Sequence, residues 1–199
     1  MPAKRRAKTA GGGRLGNNLN AELGDARRRQ SFAEGDVQVF FRPDHIVGHL
    51  RRKILSARYV VACVAWCSNP TLLDALRRCK GVSLVVQYDR ALLRKHREEL
   101  TQLTPMPGAK SAVSFVRGKG RCLMHHKFAV YLDDHRRPTS VTTGSFNWTK
   151  NSTKNAEHLV EVRNPAVAAR FMQEHLQVLG ISTPLRKPRR KKNKTSAVL

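Results

Sequence analysis

The 199-residue sequence predicts an α/β domain, a mixed β-sheet flanked by helices on both faces. Strand-like and helix-like patterns alternate from residue 37 to about residue 179. One strand-like run is apolar throughout, as in a strand covered on both sides, and Asp or Asn-Pro stands where three of the helices should begin.

Val37-Gln38-Val39-Phe40-Phe41 reads as a strand. Asp44 is placed to cap a helix to about Ser56, with Ile46, Val47, Leu50 and Ile54 at helical spacing. Tyr59 to Trp66 is the continuous apolar strand, broken by Asn69-Pro70. A short helix follows from Thr71 to Cys79 with Leu72, Leu73 and Leu76 inward. Val82 to Val86 is the next strand and Ala91 to Leu103 a basic helix. Ala112 to Val116, Lys127 to Leu132, Ser140 to Thr143 and Leu159 to Val162 read as further strands. Asn164-Pro165 opens a last helix to about Leu179, with proline at its first position.

Charge divides the chain into three parts. The 38 Lys+Arg against 14 Asp+Glu give a formal net charge of +24. Residues 1–30, with Gly11-Gly12-Gly13 and basic clusters, read as a flexible arm, and 184–199, with Arg186 to Lys194, as a disordered basic tail. Together they hold +13, leaving about +11 on a domain at 31–183. Such an excess excludes an ordinary near-neutral metabolic enzyme and calls for a densely anionic partner, nucleic acid first and anionic lipid second. No apolar run reaches the roughly 18 residues of a membrane span, and Met1 to Arg6 lacks a secretory apolar stretch. The expectation is a soluble intracellular protein of the cytoplasm or nucleus. Cys63, Cys67, Cys79 and Cys122 have no paired metal-ligand spacing and read as buried free thiols, so no metal or other cofactor is expected.

The chemistry concentrates in 124–157. His125 and Lys127 stand two apart on a predicted strand, so their side chains share one face. An imidazole beside an ammonium suits a phosphodiester: lysine neutralises a non-bridging oxygen while the imidazole attacks phosphorus or carries a proton. Gly144 permits close backbone approach, and Ser145 and Asn147 offer uncharged donors where charge grows in the transition state. Glu157 could accept an imidazole N–H and fix its tautomer. His126 points to the opposite face. Histidines 45, 49, 96, 135, 158 and 175 match no motif and read as surface or satisfied core positions, and Trp66 and Trp148 as core or pocket wall.

These residues resemble the HKD signature of the phospholipase D superfamily, H-x-K-x4-D-x6-G-[ST]-x-N, with His125, Lys127, Gly144, Ser145 and Asn147 in the matching places. Gly-Ser-Phe-Asn-Trp-Thr and the Glu157 continuation are most similar to the small single-HKD nucleases, the bacterial endonuclease group and the mitochondrial Zucchini-type members. The departure is at the aspartate. Five residues rather than four separate Lys127 from Asp133, with Asp134 as alternate, and the following turn is long. The resemblance implies the phospholipase D-like fold and a metal-independent double displacement through a phosphohistidine. It needs two HKD motifs, and this chain carries one, which implies a two-fold homodimer. The charge favours DNA or RNA, single strands above all, so an endonuclease is the leading expectation. The alternatives are a catalytically silent nucleic-acid-binding protein of the same fold, and a phospholipase D-type lipid hydrolase.

Overall fold

A computed structural model describes residues 31–118 and 123–186. In chain order the elements are β1 (Ser31–Glu34), β2 (Val37–Phe40), α1 (Pro43–Ser56), β3 (Tyr59–Val64), α2 (Pro70–Arg77), β4 (Gly81–Gln87), α3 (Arg90–Thr101), β5 (Val113–Val116), β6 (Lys127–Leu132) and β7 (Pro138–Gly144). A 3-10 turn (Asn151–Lys154), β8 (Leu159–Val162), α4 (Pro165–Gly180) and β9 (Thr183–Pro184) follow. All nine strands lie in one sheet, in the order β1, β2, β8, β7, β6, β3, β4, β5, β9. β3, β4 and β5 run parallel and the remaining pairs antiparallel, the mixed sheet that the alternating pattern predicts.

Strand alternation distributes two cores. Val60, Ala62 and Val64 of β3, Val82, Leu84 and Val86 of β4 and Ala129 and Tyr131 of β6 pack with Leu50 and Ile54 of α1, Leu72 and Leu76 of α2 and Leu100 of α3. The intervening Val61, Cys63, Val85, Phe128, Val130 and Val141 pack against Ala168 and Val178 of α4. Among the described residues, three helices therefore cover one face and one covers the other. The parallel strands need long crossovers, and α2 and α3 supply them.

Local chemistry sets the helix starts. Asn69 Oδ1 accepts from Thr71 N at 3.0 Å and Leu72 N at 3.4 Å, Asp89 Oδ1 from Leu92 N at 2.9 Å, and Asn164 Oδ1 from Ala166 N and Val167 N at 3.0 and 3.1 Å. The expected Asp44 cap is not one. Arg42 holds the cap position of α1 without a side-chain bond, Pro43 is the first helical residue, and Asp44 sits inside the first turn, where its charge complements the helix dipole.

The sheet extends beyond the predicted strands at both edges. β1 pairs with β2, while β9 pairs with β5 and carries Leu185 into the core, so ordered packing continues past residue 183. Residues 1–30 and 187–199, which hold the predicted arm and most of the predicted tail, lie outside the described residues, as does Cys122. Cys63, Cys67 and Cys79 are buried free thiols, and burial pushes them up to about 12, 12 and 11.

One buried ionic cluster ties the antiparallel half to α1. Glu161 of β8, 2% exposed, lies 2.8 Å from both His49 Nε2 and Lys53 Nζ. Burial alone would raise its carboxyl, but the contacts with His49 and Lys53 outweigh it and hold the group down to about 2.

Candidate active site

The ends of five strands meet at one edge of the sheet. β3 and β4 run parallel, and β6 is antiparallel to β3 with Lys127 opposite Val64. β7 returns beside β6, so Gly144 ends it next to the start of β8, opposite Leu159. The C-terminal ends of β3, β4 and β7 and the N-terminal ends of β6 and β8 thus share one rim. In open α/β sheets, the carboxyl ends of parallel strands are where ligands bind.

His125 and Lys127 project from this rim. The strand begins at Lys127, so His125 lies two residues before the ladder and not within it as the sequence predicts. Lys127 Nζ turns back and donates to the His125 carbonyl at 2.8 Å. The exposed His125 ring meets Trp66 edge-on with 5.6 Å between centroids, and Lys127 Nζ stands 5.9 Å from the same indole centroid. Partial burial lowers the Lys127 ammonium from its ordinary value, and the Glu157 charge opposes that shift. His126 points the other way: its Nε2 lies 3.1 Å from Glu174 Oε1 of α4.

The loop after Gly144 supplies the polar side. A side chain at Gly144 would collide with the His158 carbonyl, and its Cβ would come within 3.0 Å of Leu159 Cα. That close approach lets Ser145 N donate to His158 O at 3.2 Å and Ser145 Oγ accept from His158 N at 3.1 Å. The Ser145 hydroxyl donates in turn to Glu157 Oε2, and Asn155 Nδ2 donates to Glu157 Oε1 at 3.3 Å. The Glu157 carboxylate is thus held by serine and asparagine; among the described residues no hydrogen bond joins it to His125. Asn147 Oδ1 is buried without a partner among the described residues. Its neighbour Trp148, 2% exposed, belongs to the core and anchors the loop by accepting from Ser68 N and Asn69 N at 2.7 and 2.8 Å.

Asp133 is not brought to this site. It follows the far end of β6, roughly 20 Å along the strand from Lys127 at about 3.3 Å per residue. There it accepts from His135 N, Arg137 N and Arg137 Nε, each at 2.9 Å, and closes the β6–β7 hairpin in which Arg136 adopts φ 61°. The register shift at Tyr131 and Leu132 falls on the partner strand, leaving Thr139 of β7 unpaired between Ser140 and Pro138. Asp134, the alternate, pairs with Arg58 and Lys80 at 3.1 Å, also at that end.

Two residues outside the motif complete the rim. Trp66, just past β3, is the wall shared by His125 and Lys127. Gln87, the buried last residue of β4, accepts from Met124 N through Oε1 at 2.8 Å and so fixes the approach to His125; Ala65 N donates to His126 O at 2.9 Å from the other side. Trp66 agrees with its sequence reading as core or pocket wall, whereas the signal for Gln87 is position alone, at the end of an apolar parallel strand. No group of three or more His, Cys, Asp or Glu side chains able to hold a metal ion occurs among the described residues.

A family model described as "Cardiolipin synthase, PLD-like domain" matches residues 50–179. The chain belongs to this PLD-like family. The match runs from within α1 to within α4 and contains every residue of the rim. Nuc of Salmonella typhimurium, a phospholipase D family member, superimposes with a TM-score of 0.57 at 24% identity, over 76% of this chain and 98% of Nuc. NucT from Helicobacter pylori gives 0.58 at 17% identity, over 74% and 98%. These likenesses show the phospholipase D fold. In sequence, an uncharacterized protein of Acanthamoeba polyphaga mimivirus is 22% identical over 201 residues, spanning 81% of this chain and 71% of that protein.

Proposed function

We propose that this PLD-like chain is a phosphodiesterase that cleaves DNA or RNA, single strands in preference, without a divalent metal and as a homodimer. The observation that carries the proposal is the convergence of His125, Lys127, Ser145 and Asn147 on one rim, on a domain that is strongly basic. A polyanionic strand suits that charge.

The proposed chemistry is the double displacement that the HKD resemblance implies. A ring nitrogen of His125 attacks phosphorus, and the bond to the leaving oxygen breaks as His125 of the second subunit protonates it. Water, deprotonated by that second imidazole, then attacks the phosphohistidine and frees the first. Lys127 balances the non-bridging oxygens, with Ser145 and Asn147 as further donors. Glu157 acts here by holding Ser145, and Asp133 by closing the hairpin. The extra hairpin residue lies at the far end of β6, which favours an active enzyme over a silent binding protein.

An apolar hollow of about 720 Å³ beside His125, bounded by Leu123, Met124, Val178 and Ile181, supports the dimer. Leu123 is 55% and Ile181 75% exposed in the single chain, and a second copy seated there would bring its own histidine near the first.

Incubation with labelled single- and double-stranded DNA and RNA in excess EDTA tests the proposal. Cleavage that disappears in His125→Ala and Lys127→Ala supports it. Binding without cleavage in the parent protein would mark the silent binder, and headgroup release from anionic liposomes without nucleic-acid cleavage the lipid hydrolase. Light scattering with activity followed on dilution tests the dimer, which a fully active monomer would rule out.

A further inference from the structure

A second polar cavity opens beside the rim. It measures about 750 Å³, within the roughly 300–1,000 Å³ of small-molecule sites, and lies between α2, α3 and the loop after β7. Trp66 and Asn147 line it, and both also belong to the His125 rim, so the cavity and the catalytic pair share a wall. Arg77 comes from α2, Lys95 and Glu99 from α3, and Lys150 from the loop.

Three of these residues present buried polar atoms with nothing to bond. Arg77 Nε, Glu99 Oε2 and Asn147 Oδ1 all lack a hydrogen-bond partner among the described residues. The other Glu99 oxygen lies 3.7 Å from His96 Nδ1, which leaves Oε2 open. An unmet buried donor or acceptor keeps its full desolvation penalty, so three on residues that line one cavity recover that loss where those side chains turn to a ligand's polar groups. The complement is specific in kind. The ligand must donate to Glu99 and Asn147, accept from Arg77, and bring negative charge to Lys95 and Lys150, both exposed. A nucleotide does all three: its base edge carries donors beside acceptors, and its phosphate carries the charge.

We infer that this cavity is a subsite for the nucleotide unit flanking the scissile phosphate, with Lys95 and Lys150 on the adjoining phosphate and Glu99 and Asn147 on the base edge. The inference rests on the nucleic-acid reading above and adds where the strand lies and which residues sense the base. The two lysines act on every sequence alike, whereas Glu99 discriminates, because thymine and uracil offer a ring N–H but no exocyclic amine, unlike cytosine and adenine.

Kinetics of the full chain decide it, comparing the parent with the Lys95→Ala/Lys150→Ala double variant and with Glu99→Gln. The substrates are short single-stranded oligo(dT), oligo(dC) and oligo(dA), and bis(p-nitrophenyl) phosphate, a diester that presents only the scissile phosphate. The double variant should lose on the order of tenfold in kcat/KM on all oligonucleotides, keep its rate on the small diester, and lower the log–log salt slope by about 0.7 for each phosphate it no longer neutralises. Glu99→Gln should change the ratio of oligo(dC) to oligo(dT) cleavage while sparing the small diester. Oligonucleotide kinetics like the parent's in both variants overturn the subsite. If the parent cleaves no nucleic acid, the nuclease reading has failed by itself, and anisotropy titration of the same oligonucleotides then decides the subsite: weakened binding in the double variant retains it, equal affinity removes it.

Discussion

The Ser145 hydroxyl donates to the Glu157 carboxylate and accepts from the His158 N–H, so one serine clips the end of β7 to the segment entering β8. The same carboxylate is the charge that holds the Lys127 ammonium up against the lowering effect of its burial. Substituting Glu157→Gln keeps an acceptor for Ser145 and removes the charge. Only the lowering influence is then left on Lys127, so the alkaline limb of the pH–rate profile should move to lower pH, with kcat reduced. A profile with an unmoved alkaline limb would show that Glu157 acts on Ser145 alone.

Gln87 controls the approach to His125 from a strand that carries no motif residue. Its Oε1 receives Met124 N at 2.8 Å, one residue before the imidazole. Gln87→Ala orphans that N–H, at about 1–3 kcal/mol, and frees the backbone that aims His125. Misplacement of a reacting group by about 1 Å can cost on the order of a hundredfold in rate, so kcat should fall with little change in KM. Gln87→Glu, which keeps the acceptor, should recover most of the loss. Equal defects in the two variants would assign Gln87 to packing only.

Much of this site was legible because its residues are close in sequence. His125, Lys127, Gly144, Ser145, Asn147 and Glu157 all lie on the β6–β7–β8 meander, where strand ends return to one rim and short-range spacing is enough. Trp66 and Gln87 reach the same rim through the parallel pairing of β3 and β4 and the pairing of β3 with β6, which no local pattern records. β1 and β9 escaped for a related reason: each is a short edge strand specified by its neighbour rather than by its own alternation. Asp44 departs from the predicted cap because Pro43, pre-set for the first helical position, puts the start of α1 two residues earlier.

Asp133 is where motif and geometry part. Its carboxylate sits at the hairpin end of β6, held below the ordinary carboxylate range mainly by hydrogen bonding from the Arg137 backbone, with Arg137's side chain and the His135 N–H adding to it. Asp133→Asn should therefore leave kcat and KM on nucleic acid and on a small diester at parental values. Its effect belongs to the hairpin, where backbone amide exchange at His135 and Arg137 should quicken. A large loss of kcat with unchanged exchange would place the aspartate in the catalytic machinery after all.

His175 makes the fold sensitive to mild acid. The ring lies beneath the sheet with Nε2 2.9 Å from Ser83 Oγ and Nδ1 3.5 Å from Cys63 Sγ, and burial pushes it down to about 4. In the unfolded chain a histidine takes its proton near pH 6.5. Between these values unfolding takes up a proton, so the stability due to the neutral ring is complete above about pH 6.5 and is lost as pH falls toward 4, by on the order of 3 kcal/mol. Glu161 adds its own loss only at lower pH, where its carboxyl, held down to about 2, diverges from an unfolded value of about 4.3. The interval from about pH 6.5 to 4.5 therefore isolates the histidine. Urea unfolding across that interval should show the parent's stability falling as pH is lowered, while His175→Gln, which hydrogen-bonds without titrating, should be less stable at neutral pH by about 1–2 kcal/mol and nearly flat. Parallel slopes for the two proteins would mean that the proton taken up on unfolding goes elsewhere.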